Sequence, residues 1–173
     1  MKKIALIYWP KKGSTEMAAQ MIHSRFEKDV IDIFTITEIN TAEFSLYDAF
    51  IIGGSTTGAD NWENAHKTRW NDFFGKLEKA ELKGKPFALY GLGNQVLYPN
   101  HFVDGMAFLK EIFEKHGAVL KGRWPVDGYD FEESESLENG MFYGLALDFD
   151  QQPELTEIRI NKWVAQICKE FGI

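Results

Sequence analysis

The feature that most restricts the fold is an alternation. Short apolar runs recur along the chain, and each is followed by a stretch whose apolar residues fall at helical spacing. Ile4-Ala5-Leu6-Ile7-Tyr8 is uninterrupted, the pattern of a strand covered on both faces, as in a parallel sheet. Residues 14–28 then place Met17, Ala18, Met21, Ile22 and Phe26 on one helical face. A second strand fits Val30 to Ile36, with a polar connection after it. A third, Tyr47 to Gly54, ends in two glycines. The polar segment 55–66 reads as a long loop, and the helix after it, roughly 67–80, carries Trp70, Phe73, Phe74 and Leu77 on one side.

The alternation continues to the end. Pro86 to Tyr90 is a fourth buried strand, again followed by glycines, Gly91 and Gly93, and then by a helix from Phe102 to His116. Ala118 to Trp124 and Met141 to Leu147 are both extended. The segment between them, "PVDGYDFEESESLENG", is polar and turn-rich, an excursion from a sheet edge. A last helix begins near Pro153 and turns Ile160, Val164, Ile167 and Phe171 to one side. With no linker, repeat or break in composition, residues 1–173 form a single domain of the α/β class. The expected architecture is a doubly wound, open, parallel five-stranded sheet with helices on both faces, its last strand split by the long excursion. Ligands of such sheets lie beyond the C-terminal ends of the strands, where the strand order reverses. The loops 9–15, 54–66 and 91–101 occupy such ends.

Composition removes several function classes. A net charge of −7 disfavours nucleic acid and anionic membranes as partners and favours basic protein surfaces. The single cysteine, Cys168, cannot form an internal disulfide, and no Cys/His spacing suits a metal. The first residues are too short in apolar length for a signal peptide, and no window approaches a membrane span. A cytoplasmic, monomeric protein without a metal is expected.

Each of the three loops carries chemistry suited to a ligand. In "WPKKGSTE" a helix starting near Ser14 offers unpaired N–H groups and the positive end of its dipole, an anion site. Gly13 permits close approach, Ser14 and Thr15 add hydroxyls, and Lys11 or Lys12 can add a charge-assisted contact. The plain alternative is a solvated turn in which Ser14 only caps the helix. Neither the Walker A pattern nor G-x-G-x-x-G is present. The third loop, "GLGNQVLYPNHF", combines backbone access at Gly91 and Gly93, amides at Asn94 and Gln95, and a ring at Tyr98 fit to lie on a planar heterocycle. The second loop supplies Ser55, Thr56, Thr57, Gly58, Ala59 and Trp62.

On these residues the chain resembles a flavodoxin of the long-chain class. The resemblance runs from end to end. It is carried most specifically by "YGLGNQVLYPNHF" and by "DGYDFEESESLENGMFYGLALDFDQQPELTEIRINKW", with Gly13-Ser14-Thr15-Glu16 and "YDAFIIGGSTT" in support. It implies an FMN-containing electron carrier with no catalytic residue. It further implies that the phosphate meets Pro10, Lys11, Lys12, Gly13, Ser14 and Thr15. The ring would lie between Ser55, Thr56, Thr57, Gly58, Ala59 and Trp62 on one side and Leu92, Gly93, Asn94, Tyr98 and His101 on the other, with Asp150 nearby. The implied partners are basic-surfaced redox proteins, such as a flavodoxin or ferredoxin reductase, and low-potential acceptor enzymes.

Two departures from the family pattern stand out. Pro10 and Lys12 occupy positions usually held by hydroxyl residues, and Trp9 a position usually held by a small one. Thr57 stands where long-chain relatives commonly carry a tryptophan, which leaves the inner face of the ring to Trp62 or to no aromatic at all. Two other functions remain open on sequence alone. One is a flavin-dependent NAD(P)H or quinone reductase; the other is a non-flavin binding or regulatory module on the same fold.

Overall fold

The computed structural model describes residues 2–55 and 64–173, with the backbone alone given for residues 41 and 64–68. The first helices and strands in chain order are β1 (Ile4–Trp9), α1 (Ser14–His23), β2 (Ile31–Thr35), β3 (Ala49–Ser55) and α2 (Asn64–Leu77). Then follow β4 (Pro86–Leu92), α3 (Gly105–Lys115), β5 (Val119–Lys121), β6 (Trp124–Pro125), β7 (Leu137–Glu138), β8 (Met141–Phe142), β9 (Leu145–Leu147) and α4 (Pro153–Phe171). The main sheet runs β2-β1-β3-β4-β5, with β9 also paired to β4, and all of its pairings are parallel. The α/β doubly wound class read from the sequence is the class observed.

Alternation along each strand sorts the side chains into two layers. Ala5 and Ile7 of β1 join Phe50, Ile52, Phe87 and Leu89 under α2 and α3, with Trp70, Phe73, Met106 and Phe113 closing that face. Ile4, Leu6 and Tyr8 point the other way and join Ile51, Ala88 and Tyr90 under α1 and α4, where Ala18, Ile22, Ile160, Trp163 and Ile167 cover them. Each fully buried aliphatic side chain contributes roughly 1.5–3 kcal/mol. A strand of five consecutive apolar residues is therefore fixed in register by both layers at once.

The last strand is split as expected. β5 pairs with Pro86–Ala88 at the start of β4, and β9 with Tyr90–Leu92 at its end. Between them the chain builds a small antiparallel sheet of order β6-β8-β7. Some boundaries differ from the sequence reading. β4 continues through Gly91 and Leu92, because these residues pair with Gly54 and Ser55 of β3 on one side and with Ala146 and Leu147 on the other. Helix α1 stops at His23 rather than 28: Ser24 and Arg25 turn back on Gln20 and Ile22, and Val30 N–H then bonds Glu27 O before β2 begins. The connection after β2 holds a 3₁₀ turn, Thr41–Leu46, closed by a capping box between Asn40 and Glu43.

Candidate functional site

The strand order reverses between β1 and β3, since β2 lies on one side of β1 and β3 on the other. Beyond the C-terminal end of β1 the chain turns through Lys12 (φ 66°) and Gly13 (φ 86°, ψ −161°). The Gly13 conformation belongs to a region almost closed to other residues, so glycine is required there by backbone geometry rather than by crowding. No atom lies within 4 Å of where its Cβ would stand, which leaves open space over the helix start. Gly13 is the N-cap of α1 and makes no side-chain capping bond; Ser14 is the first helical residue, not the cap. The first intrahelical bond runs from Met17 N–H to Gly13 O, so the amides of Ser14, Thr15 and Glu16 lie ahead of it. They form the positive end of the helix.

Three polar contacts shape this turn. Glu16 accepts from the Tyr8 hydroxyl at 2.6 Å and from the Lys12 N–H at 2.8 Å, folding the loop back on the first helical turn. The Tyr8 bond, then the Lys12 amide, hold the Glu16 carboxyl below its ordinary range, while burial and then Glu16 push the Tyr8 hydroxyl up. Lys11 Nζ donates to Glu38 at 2.8 Å. That bond, with the Thr35 N–H, lowers Glu38 to about 2. The Lys11 ammonium is thus turned toward the end of β2. Lys12 makes no ion pair among the described residues, and Pro10 has no N–H to offer.

At the ends of β3, β4 and β9 a cleft of about 150 Å³ is lined by Ser14, Ser55, Leu92, Gly93, Asn94, Tyr98, Phe149 and Asp150. Its far wall is a tight turn. Asn94 Oδ1 accepts from the N–H groups of Val96 and Leu97, while Asn94 Nδ2 donates to Asp150 at 3.0 Å. The turn leaves Tyr98 standing out, 56% exposed, beside the still more exposed Val96 and Leu97. Exposed rings are common singly; one at the rim of a cleft is placed to receive a planar partner.

A sequence profile described as Flavodoxin matches residues 6–163. The chain belongs to the flavodoxin family. Among its relatives, a flavodoxin of a Nostoc species is 36% identical over 172 residues, covering 99% of both chains. Flavodoxin 1 of Escherichia coli is 39% identical over 162 residues, covering 93% of this chain and 90% of the relative. The crystal structure of Fusobacterium nucleatum flavodoxin bound to flavin mononucleotide superposes with a TM-score of 0.86 at 33% identity, covering 99% of each chain. Flavodoxins are themselves a standard instance of the rule that places ligands at a strand-order reversal.

Of the residues singled out in the sequence, Ser14, Ser55, Leu92, Gly93, Asn94, Tyr98 and Asp150 share this one cleft, and Lys12 and Gly13 adjoin it through the turn. Thr15, at the first turn of α1, is only 3% exposed, and its carbonyl accepts from the Tyr90 hydroxyl. His101 lies elsewhere: its Nδ1 pairs with Asp104 at 3.0 Å, and it borders a second, acidic cleft with Asn100 and residues 132–135. Thr56, Thr57, Gly58, Ala59 and Trp62 fall outside the described residues.

Two readings of the third loop are corrected. Gly91 is not kept small for a ligand, since a Cβ there would meet Met106 of α3 at 2.9 Å. The amide of Gln95 is bonded within the protein, to Asp148 and to the Asp130 N–H. Phe149 in the lining and buried Asp148 beneath it were not picked out in the sequence, where "ALDFDQ" offers only an aromatic between two acids. Among the described residues no group of three or more His, Cys, Asp or Glu is arranged to hold a metal, and no helix is long and apolar enough to cross a membrane.

Proposed function

We propose that this protein is a long-chain flavodoxin that holds FMN non-covalently and carries single electrons at low potential between a reductase and acceptor enzymes. The observation that carries the reading is one cleft joining an uncapped helix N-terminus to an outstanding tyrosine, in a chain so similar to a relative bound to flavin mononucleotide. The residues suit that molecule in order. The amides after Gly13 and the Lys12 ammonium, which makes no ion pair among the described residues, suit a phosphate dianion. Ser14 and Asp150 suit hydroxyls, and Tyr98 suits a flat ring. When bound, the flavin supplies the one-electron chemistry.

The chain's own residues then set where that chemistry occurs and at what energy. Lys12 takes over from the hydroxyl donors missing at Pro10 and Lys12 itself. A charge-assisted bond contributes about 1.5–3 kcal/mol against roughly 1 for each neutral bond lost. Asp150 and the acidic excursion, with Asp127, Asp130, Glu132, Glu133, Glu135 and Glu138 and no Lys or Arg between 126 and 140, oppose any added negative charge in the cleft. This lowers the potential. The same field favours basic redox proteins as partners. The long-chain assignment rests on the excursion between β5 and β9. A cytoplasmic monomer with no catalytic group of its own fits this role.

The test is direct. Protein purified without added flavin is expected to be yellow, and denaturation should release one equivalent of FMN. NAD(P)H should not bleach it unless a separate reductase is added. Colourless protein that takes up no FMN overturns the proposal, and rapid unassisted NAD(P)H oxidation turns it toward a reductase.

A further inference from the structure

Asp148 follows β9 and is 1% exposed. It does not line the cleft, yet its carboxylate accepts four N–H bonds. Oδ1 takes the backbone N–H groups of Asp150 at 3.1 Å and Gln151 at 2.9 Å. Oδ2 takes the backbone N–H of Gln95 at 3.0 Å and its Nε2 at 3.1 Å. One oxygen therefore shapes the turn that carries Phe149 and Asp150. The other grips the loop that carries Asn94 and Tyr98. Gln95, 3% exposed, extends the connection, because its Oε1 accepts the N–H of Asp130 in the excursion. Three segments distant in sequence meet at two buried side chains.

We infer that Asp148 and Gln95 are positioning residues for the cleft: together they fix the loop bearing Tyr98 against the turn bearing Phe149 and Asp150, and so set where the Tyr98 ring stands for the flavin. The inference rests on the flavin reading above. Its physical basis is polarity. A carboxylate only accepts, so its two oxygens satisfy all four donors; an amide of the same shape, with one oxygen, cannot. In Asp148→Asn, Oδ1 still serves the turn, but the new NH₂ faces two N–H donors. Gln95→Glu brings acceptor against acceptor. In the double variant the NH₂ of the new amide can donate to the new carboxylate, restoring the side-chain bond with reversed polarity and leaving only the backbone N–H of residue 95 without its acceptor.

Titration of apoprotein with FMN tests this, alongside the visible absorption and circular dichroism of each flavin-saturated variant. Each single variant is expected to raise the Kd for FMN at least about tenfold and to shift the flavin bands. The double variant should recover part of both, a non-additive result that lost stability alone does not produce. Trp163→Phe, which removes a buried bond from α4 to Gly122 O after β5 and lies outside the cleft lining, should lower stability with unchanged bands. Parent-like affinity and bands in Asp148→Asn, or strict additivity in the double variant, overturn the inference. Should Asp148→Asn not fold, Gln95→Ala reads the same loss, with three of the four donors to Asp148 retained. If the parent protein itself takes up no FMN, the flavin reading fails separately. The clamp is then judged by amide exchange at residues 94–98, faster in both single variants and partly restored in the double; unchanged exchange overturns it.

Discussion

Replacing Gly53 with alanine should damage the fold through a single ring. Gly53 pairs with Tyr90 across β3 and β4, and an added Cβ would stand 1.9 Å from Tyr90 Cζ and 2.2 Å from its hydroxyl. Carbon atoms in contact normally sit about 3.5–4.0 Å apart, so the ring must move by well over an ångström. It has nowhere to go, being fully buried with its hydroxyl bonded to Thr15 O at 3.1 Å. Overpacking costs about 1–3 kcal/mol, and a broken buried hydrogen bond about 1–3 more. The central expectation is a loss of about 4 kcal/mol, a large part of the roughly 5–15 kcal/mol that holds a domain folded. At about 2–4 °C per kcal/mol for a chain of this size, Tm should fall by about 8–16 °C. Urea denaturation of the apoprotein measures the loss as a lower midpoint at constant slope. Tyr90→Leu should cost stability alone, yet the double variant should be milder than the sum by about 2 kcal/mol, because leucine leaves room for the methyl group. A loss below about 1 kcal/mol in Gly53→Ala, or full additivity in the pair, would refute this packing. Because Tyr90 also braces the first turn of α1, FMN affinity should fall with stability.

Three further outcomes are expected. Tyr98→Ala should weaken FMN binding by about tenfold or more through lost stacking, while apoprotein stability stays within about 0.5 kcal/mol, since the ring is exposed; fluorescence titration and urea melts separate the two. Lys12→Ala should raise the Kd for FMN but leave that for riboflavin unchanged, whereas Lys11→Ala, whose ammonium serves Glu38, should alter neither by more than about twofold. Glu38 titrates near 2 in the folded chain against an ordinary value of 4.5, so its contribution is present above pH 4.5 and lost as pH falls toward 2. Glu38→Gln should therefore flatten the acid limb of the stability profile in that window. Both partners are about half exposed, and after solvent screening the effect is at most about 1 kcal/mol.

The sheet was legible because its strands are apolar on both faces: Ile4 to Tyr8 and Phe50 to Ile52 need no tertiary knowledge to be read as buried. The excursion was legible too, from its turn residues and charge. Element ends were less so. That β4 reaches Leu92 depends on pairing with Ser55 of β3 and with β9, the latter more than fifty residues away, and no local pattern encodes partners at such distances. The capping box at Asn40 and Glu43 did have a local signature, which went unread in a polar connection. Asp148, Gln95 and Arg159 mark the real boundary. Arg159 lies 3.9 Å over the Tyr129 ring and donates to Gly128 O and Gln152. In the sequence it is one more charge on a helix, because a buried polar residue looks like an exposed one until its partners are known.

An unbroken strand on the outer side of β4 would offer neighbouring molecules a row of backbone donors and acceptors on which to extend the sheet. Here β5 and β9 are three residues each, and the antiparallel β6-β8-β7 sheet arises between them. So short and interrupted a border gives a second copy little to template against. The insertion thus blunts this border of the sheet against edge-to-edge growth by a second copy.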